Sequence, residues 1–231
     1  MGFLVEDETL FPTSTKTTTP LYIGLATGYC GSVTTFSSFI LGAFEQLSNT
    51  APIHHGRRIR DDVAAMLAYV IGTMAISLGG LQVGAHLAVF SKGFLRKLPF
   101  RWTDALAVPV GLGMWIASVI MAVLIKKWRG DVLFACVLSP PGAIVRFWAS
   151  RLGNPIFRVF PLGTFMVNIL GTATLAGLLV GRYAHSGGNT CDVLKGLGDG
   201  FCGCLTTVST FVVEVRSLRS GFLRILGGTN R

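Results

Sequence analysis

The chain has 231 residues, of which 51% are hydrophobic and only 13% charged, against about 25% charged in soluble domains. Its 20 lysines and arginines outnumber its 11 acidic residues, for a formal charge of +9, and the charges cluster between long apolar runs. This excludes an ordinary soluble enzyme and a disordered chain, and leaves an all-α, polytopic helical membrane protein in which each crossing of a hydrocarbon core of about 30 Å takes roughly 20 apolar residues.

The first 19 residues carry Glu6, Asp7 and Glu8 and then a threonine-rich stretch. Without a basic start and an apolar core they do not read as a signal peptide, and a polar, poorly ordered tail is expected. A first crossing is expected over 20–47, the clearest over 63–90, and a third over 105–125. Further crossings over 132–152, 159–181 and 192–218 bring the total to about six, with connections too short for a sizeable soluble domain. The cysteines Cys30, Cys136, Cys191, Cys202 and Cys204 form no CxxC and meet no histidine at metal spacing, so they read as small packing residues.

An internal repeat links the first and last crossings. Gly-Tyr-Cys-Gly-Ser-Val-Thr-Thr-Phe-Ser-Ser-Phe over 28–39 returns as Gly-Phe-Cys-Gly-Cys-Leu-Thr-Thr-Val-Ser-Thr-Phe over 200–211. Gly28, Cys30, Gly31, Thr34, Thr35, Ser37 and Phe39 pair with Gly200, Cys202, Gly203, Thr206, Thr207, Ser209 and Phe211 at one constant offset. Glycine, serine and threonine in mid-membrane interrupt a helix and free backbone groups that lipid cannot satisfy. Paired interruptions of this kind point to an ion or substrate site near the midplane; the other reading is a small-residue face for close helix packing. With four crossings between them, the two motif helices run in opposite directions, which makes an inverted repeat the natural architecture. The near-even division of basic residues between the two faces agrees with that.

Three polar tracks lie on the other helices. Tyr69, Thr73 and Ser77 recur at i, i+4 and i+8 and share one helical face. They suit a narrow path for a small hydrogen-bond acceptor, or they bond back to their own helix. Thr164, Asn168 and Thr172 repeat that spacing. Asn168 either glues helices or offers its amide to an anion. Arg146 follows Ser-Pro-Pro-Gly over 139–142, where a kinked or restarted helix is expected. It either draws an anion to a vestibule or braces the broken helix. No crossing holds an acidic pair or a histidine suited to a proton relay, and no Walker, Rossmann or zincin motif appears. A passive or gated conductor of something small fits better than an enzyme.

The two glycine–threonine motifs resemble the third helix of the CrcB/Fluc fluoride channels. Phe-Pro-Leu-Gly-Thr-Phe-Met-Val-Asn over 160–168 is similar to their second helix, Gly-Ala-Ile-Val-Arg-Phe over 142–147 to their first, and Ala-Tyr-Val-Ile-Gly-Thr-Met-Ala-Ile-Ser over 68–77 to their fourth. The arrangement with an extra helix resembles the eukaryotic fluoride exporters, in which two inverted homologous domains are joined by a linker helix. The resemblance implies a 1–19 tail, the C-terminal half of a first repeat over 20–102, a linker helix over 103–129, and a second repeat lacking its last helix over 130–231.

It further implies a fluoride-selective channel in the plasma membrane that exports fluoride and limits its toxicity in the cytoplasm. A structural Na⁺ would be held by the backbone carbonyls of Gly31, Thr34, Gly203 and Thr206, with no organic cofactor. Pore residues would be Phe36, Phe39, Asn168, Tyr69, Thr73, Ser77, Phe211 and Thr164, with Arg146 and Glu214 in structural roles. Partners would be fluoride, the bilayer and another chain that completes missing helices, and no nucleic acid. The second copy has Val208 where the first has Phe36, and the first has Gly42 where the second keeps the family-like Glu214. This asymmetry implies one working and one degraded pore, the working one using Phe36 and Phe39. Against the family pattern the first repeat lacks two helices and the second lacks one, so the chain reads as truncated at both ends. The alternatives are a small-molecule transporter built on inverted repeats, or a non-conducting fragment of the exporter.

Overall fold

The computed structural model describes residues 1–12, 16, 18–50, 58–94, 100–157, 160–184 and 188–214, and among them every regular element is helical. Four helical stretches are long and apolar enough to cross a membrane: Ile59–Ser91, Ala105–Leu124, Leu162–Ala184 and Asn189–Glu214. They coincide with the second, third, fifth and sixth expected crossings. The first and fourth are helical but less uniformly apolar, one being broken at its centre and the other carrying two prolines. The chain is an integral membrane protein that crosses more than once. It forms two compact units, one of Met1–Cys30 with Ser38–Met114, the other of Gly31–Ser37 with Trp115–Arg231.

In the first unit a short helix α1 (Gly2–Glu6) packs across a long one, designated α5 (Ile59–Ser91). The approach needs glycine on both sides. A Cβ on Gly2 would run into the Leu81 carbonyl, and one on Gly84 would lie 2.8 Å from the Phe3 nitrogen. The expected poorly ordered tail is therefore folded over its described residues. Asp7, fully buried, accepts the amides of Leu10 (2.8 Å) and Phe11 (3.3 Å), a local turn of the kind aspartate favours. Phe11 is buried with its ring edge-on to Tyr22 at 5.4 Å. Lys16 donates to the Val5 carbonyl at 2.7 Å, and burial pulls its pKa down against the opposing pull of Asp7, Glu8 and Glu6. The 33 residues of α5 extend about 50 Å at 1.5 Å per residue. Asp61 and Asp62 in its first turn suit the positive end of the helix dipole. Along the chain between Pro20 and α5 come α2 (Pro20–Ile23), a wide π-turn (Gly24–Cys30), α3 (Gly31–Val33), which with the chain up to Ser37 belongs to the second unit, and α4 (Phe36–Leu47).

The second unit begins within α6 (Phe100–Leu124). Arg129 closes that helix by donating from Nε to the Ala122 carbonyl (2.8 Å) and from Nη2 to Val123 (3.0 Å), two of the last-turn carbonyls left without intrahelical partners. Next comes α7 (Phe134–Gly153), which runs through Pro140 and Pro141 without stopping. The expected restart of the helix is therefore not seen. Pro141 has no N–H for the carbonyl four residues back, and that carbonyl, Val137, instead accepts the Trp115 indole N–H at 3.0 Å. A tertiary donor takes the place of the missing helical one, as lipid requires.

The α8 helix (Leu162–Ala184) buries Gly163, Thr164, Val167, Asn168, Gly171 and Leu175, a single stripe at three- and four-residue spacing. Then come α9 (Asn189–Gly196), a π-turn (Leu197–Cys202) and α10 (Gly203–Leu205). Glycine again permits the closest contact. A Cβ on Gly142 of α7 would meet the Phe201 carbonyl, with the Leu205 nitrogen at 3.2 Å. The five cysteines are free thiols, with Cys202 and Cys204 buried as packing residues.

Candidate functional site

The sequence repeat is also a structural repeat. In the first copy a π-turn ends at Cys30, α3 makes one helical turn, the helix breaks at Thr34 and Thr35, and α4 restarts at Phe36. In the second a π-turn ends at Cys202, α10 makes one turn, the chain breaks over 206–208, and helix resumes over 209–214. Thr206 leaves the helix with an extended ψ of 148°. Wide turns and mid-membrane breaks are where a helix exposes backbone groups for use by a site.

The breaks meet within the second unit, and their hydrogen bonds are reciprocal. Thr34 Oγ1 donates to Ser209 Oγ at 2.6 Å, and Thr206 Oγ1 donates to Ser37 Oγ at 2.9 Å. The Ser37 amide donates to Thr206 Oγ1 at 3.0 Å, and the Ser209 amide to Thr34 Oγ1 at 3.3 Å. Each threonine thus bonds the serine that is the repeat-mate of its own neighbour, the pattern of a two-fold contact between like surfaces. The Val208 amide also donates to the Thr34 carbonyl at 2.8 Å. Ser37 and Thr206 are completely buried. Their pairing was not anticipated, although the repeat marks both serines as identical partners.

Gly31 and Arg146 form the next contact. The Arg146 guanidinium, fully buried, lies with Nη2 2.8 Å and Cζ 2.9 Å from where a Cβ on Gly31 would sit. A side chain on Gly31 would have to displace the guanidinium. The repeat-mate Gly203 has only the Gly198 carbonyl nearby, at 3.9 Å.

Asn168 caps the second break. Its Oδ1 accepts the Thr207 amide at 2.8 Å and its Nδ2 donates to the Thr207 carbonyl at 3.0 Å. Both residues are buried. The second N–H of the carboxamide makes no hydrogen bond among the described residues. One turn earlier, Thr164 joins a polar chain that composition alone did not reveal. Asn154 accepts the Thr164 amide (3.1 Å) and donates to Glu214 (2.8 Å) and to Thr164 Oγ1 (3.2 Å), and Ser150 pairs with the same hydroxyl at 2.9 Å. The signal that could have found Asn154 is its place between Gly153 and Pro155, at the turn that leads into α8. Phe211 packs edge-on against Phe160 at 6.2 Å, and Val208 is buried. Phe36 is half-buried at the start of α4.

The remaining residues singled out from the sequence belong to the first unit. Phe39 is buried and stacks on Tyr69, with ring centroids 5.9 Å apart and planes 18° from parallel. Tyr69 and Thr73 are half-buried and Ser77 is exposed. None of these three hydroxyls makes a hydrogen bond among the described residues. By contrast Thr172, Thr174 and Ser139 do bond back to carbonyls four residues earlier. Thr172 is thus back-bonded, whereas Thr73 and Ser77 make no such bond among the described residues. No group of three or more histidine, cysteine or acidic residues capable of holding a metal occurs among the described residues.

The family described as CrcB-like protein, Camphor Resistance (CrcB), matches residues 133–228. The chain is 41% identical over 241 residues to Fluoride export protein 1 of Neurospora crassa, covering 93% of this chain and 46% of that protein. It is 35% identical to Fluoride export protein 1 of Candida albicans, over 88% of this chain and 56% of that protein. It thus spans about half the length of these two fungal relatives. Over 89 residues it is 43% identical to the fluoride-specific ion channel FluC of Thermococcus gammatolerans, covering 38% of this chain and 71% of that protein. No solved structure matches.

Proposed function

Because the chain belongs to the CrcB/Fluc family, we propose that it forms, or forms part of, a fluoride-selective channel that lets fluoride leave the cytoplasm across the plasma membrane. The observation that carries this reading is the ladder of Tyr69, Thr73 and Ser77. Three hydroxyls share one face of a membrane-crossing helix, and none of them makes a hydrogen bond among the described residues. A donor in the hydrocarbon layer is costly to leave unsatisfied, and fluoride is a small anion that accepts such bonds strongly.

In this reading the anion exchanges its water for a sequence of neutral donors, and no side chain is chemically changed. Within the first unit Tyr69, Thr73 and Ser77 donate in turn; within the second unit Asn168 offers the N–H that Thr207 does not use. Phe36, Phe39 and Phe211 offer ring edges, the positive part of the aromatic quadrupole. Thr164 belongs to the polar chain that ends on Glu214. Arg146 fills the place beside Gly31 and braces the break.

We further infer a structural Na⁺ at the breaks, where the Thr34 carbonyl, which already accepts the Val208 amide, would use its second lone pair. The main-chain oxygens of Gly31, Thr34, Gly203 and Thr206 would hold it, and they are the hard, neutral ligands a monovalent hard cation takes. When bound, the ion supplies a fixed positive charge at the breaks. The reciprocal Thr–Ser bonds support an assignment of 20–102 and 130–231 to two inverted repeats, with 103–129 as the linker helix.

Liposomes loaded with fluoride and carrying the purified chain test the proposal. Fluoride release measured by electrode should exceed chloride release by orders of magnitude, and should fall when Na⁺ is replaced on both sides by a bulky organic cation. Equal release of the two anions, or none above protein-free vesicles, refutes it.

A further inference from the structure

One end of the second unit is strongly basic. The chain leaves α6 through a 3₁₀ turn (Lys126–Trp128) and a π-turn (Arg129–Leu133). The start of α9 and the end of α8 pack beside them. A Cβ on Gly130 would run into the Asp192 carboxylate, and one on Gly181 would lie 3.7 Å from Leu194 Cδ1. These contacts bring Lys126, Lys127, Arg129, Arg182 and Lys195 to one end of the helices. The spans Ala105–Leu124 and Leu162–Ala184 finish here and Asn189–Glu214 begins here, so this end lies where hydrocarbon gives way to headgroups. The acidic residues on these turns and on the start of the last span are Asp131, Asp192 and Asp199, the last of them one turn further into the span than Lys195.

Two of the five cations are already engaged: Arg129 closes α6, and Lys195 has a partner of its own. Lys126 and Lys127 are exposed, Arg182 is half-buried, and none of the three makes a hydrogen bond or ion pair among the described residues. Arg182 Nε is buried and without a hydrogen-bond partner there. Trp128 and Tyr183 stand beside these cations, 55% and 90% exposed, the kind of amphipathic ring that settles at headgroup level. Just inside them Val123, Leu124 and Val180 turn apolar side chains outward.

We propose that this end of the second unit binds anionic phospholipid, with Lys126, Lys127 and Arg182 donating to the headgroup oxygens and Trp128 and Tyr183 seated in the interfacial layer beside them. The inference does not depend on the fluoride reading. Basic residues immediately outside a membrane helix attract anionic lipid, and a guanidinium with unused N–H groups suits a phosphate or carboxylate that brings its acceptors to that depth. The occupant is a lipid because the free donors are bordered on one side by exposed apolar side chains, along which acyl chains can lie.

The test compares the parent chain with Lys126→Gln/Lys127→Gln/Arg182→Gln and with a charge-matched control in the first unit, Arg58→Gln/Arg60→Gln/Lys92→Gln. Each is held in detergent micelles containing equal phosphatidylserine and phosphatidylcholine, and native mass spectrometry counts the lipid retained. The parent should prefer phosphatidylserine and the control should keep that preference. A basic residue at an anionic surface contributes a factor of about five, so the triple variant should lose about a hundredfold, and Lys126→Gln/Lys127→Gln, which touches only exposed side chains, about twenty-five-fold. Lys126→Arg/Lys127→Arg should retain it. Glycerophosphoserine or inorganic phosphate at matched concentration should leave the bound phosphatidylserine in place. No preference in the parent, an unchanged preference in the double lysine variant, or an equal loss in the control overturns the proposal. Displacement by either soluble anion as effective as that by phosphatidylserine shows a soluble-anion site and overturns it as well.

Discussion

Replacing Asn168 by alanine removes the cap of the second break, and the structure sets the size of the effect. The side chain makes two hydrogen bonds to a single residue, accepting the Thr207 amide at 2.8 Å and donating to its carbonyl at 3.0 Å. Asn168 is 3% exposed and Thr207 is fully buried, so water cannot replace either bond without entering the core. A buried backbone group left unsatisfied costs about 1–3 kcal/mol, and two of them give about 2–6 kcal/mol. Asn168→Asp keeps the acceptor for the amide and loses the donor to the carbonyl, so it should be intermediate if the carboxyl is accommodated. The bond from Thr172 to the Asn168 carbonyl survives in every variant because it uses the main chain. Thr174→Ala, which loses an exposed back-bond to the Leu170 carbonyl, is the matched control and should change little. Reversible unfolding in mixed micelles, followed by tryptophan fluorescence, measures the differences. An alanine variant within about 0.5 kcal/mol of the parent would show that the break does not depend on this cap.

Three further expectations follow from single contacts. Gly142→Ala should destabilise the second unit by about 1–3 kcal/mol, because the obstructing atoms are the Phe201 carbonyl and the Leu205 nitrogen, which move only if a helix moves; the same fluorescence assay reads it. Trp115→Phe strips the donor from the Val137 carbonyl and should cost about 1–3 kcal/mol, but much less in a Pro141→Ala background, where a backbone N–H becomes available for that carbonyl. Equal losses in the two backgrounds would separate the indole from the proline. Thr206→Val and Ser37→Ala should show a coupling energy of about 0.5–3 kcal/mol in a double-mutant cycle. Thr34→Val with Ser209→Ala should show the same sign, and additive effects at both pairs would remove the reciprocal clamp as a working contact.

The amino-acid sequence by itself determined where the chain is apolar enough to be helix in a membrane. The expected stretches 63–90, 105–125 and 159–181 lie almost wholly within Ile59–Ser91, Phe100–Leu124 and Leu162–Ala184, because a run of uncharged residues has few alternatives to a helix in lipid. The repeat at 28–39 and 200–211 was equally legible, and with it the paired breaks, since glycine and β-branched threonine act on their own backbone.

Only the tertiary structure decided what each freed group bonds. Pro141 announced a missing donor, but that Trp115, 22 residues away, supplies it and keeps α7 running depends on how α6 meets α7. The threonine-rich start reads as solvent-loving from composition, yet Asp7 and Phe11 are buried through contacts with a turn and with Tyr22. Gly42 in the sequence is merely a difference from Glu214; the structure sets the Tyr69 hydroxyl against it. Ser37 and Ser209 are identical letters in a repeat until the breaks cross, when each becomes the partner of the other copy's threonine. Hydrophobic pattern acts locally and is written in order along the chain. A hydrogen bond between residues more than 160 positions apart depends on distances of a few ångströms that only the packed helices set.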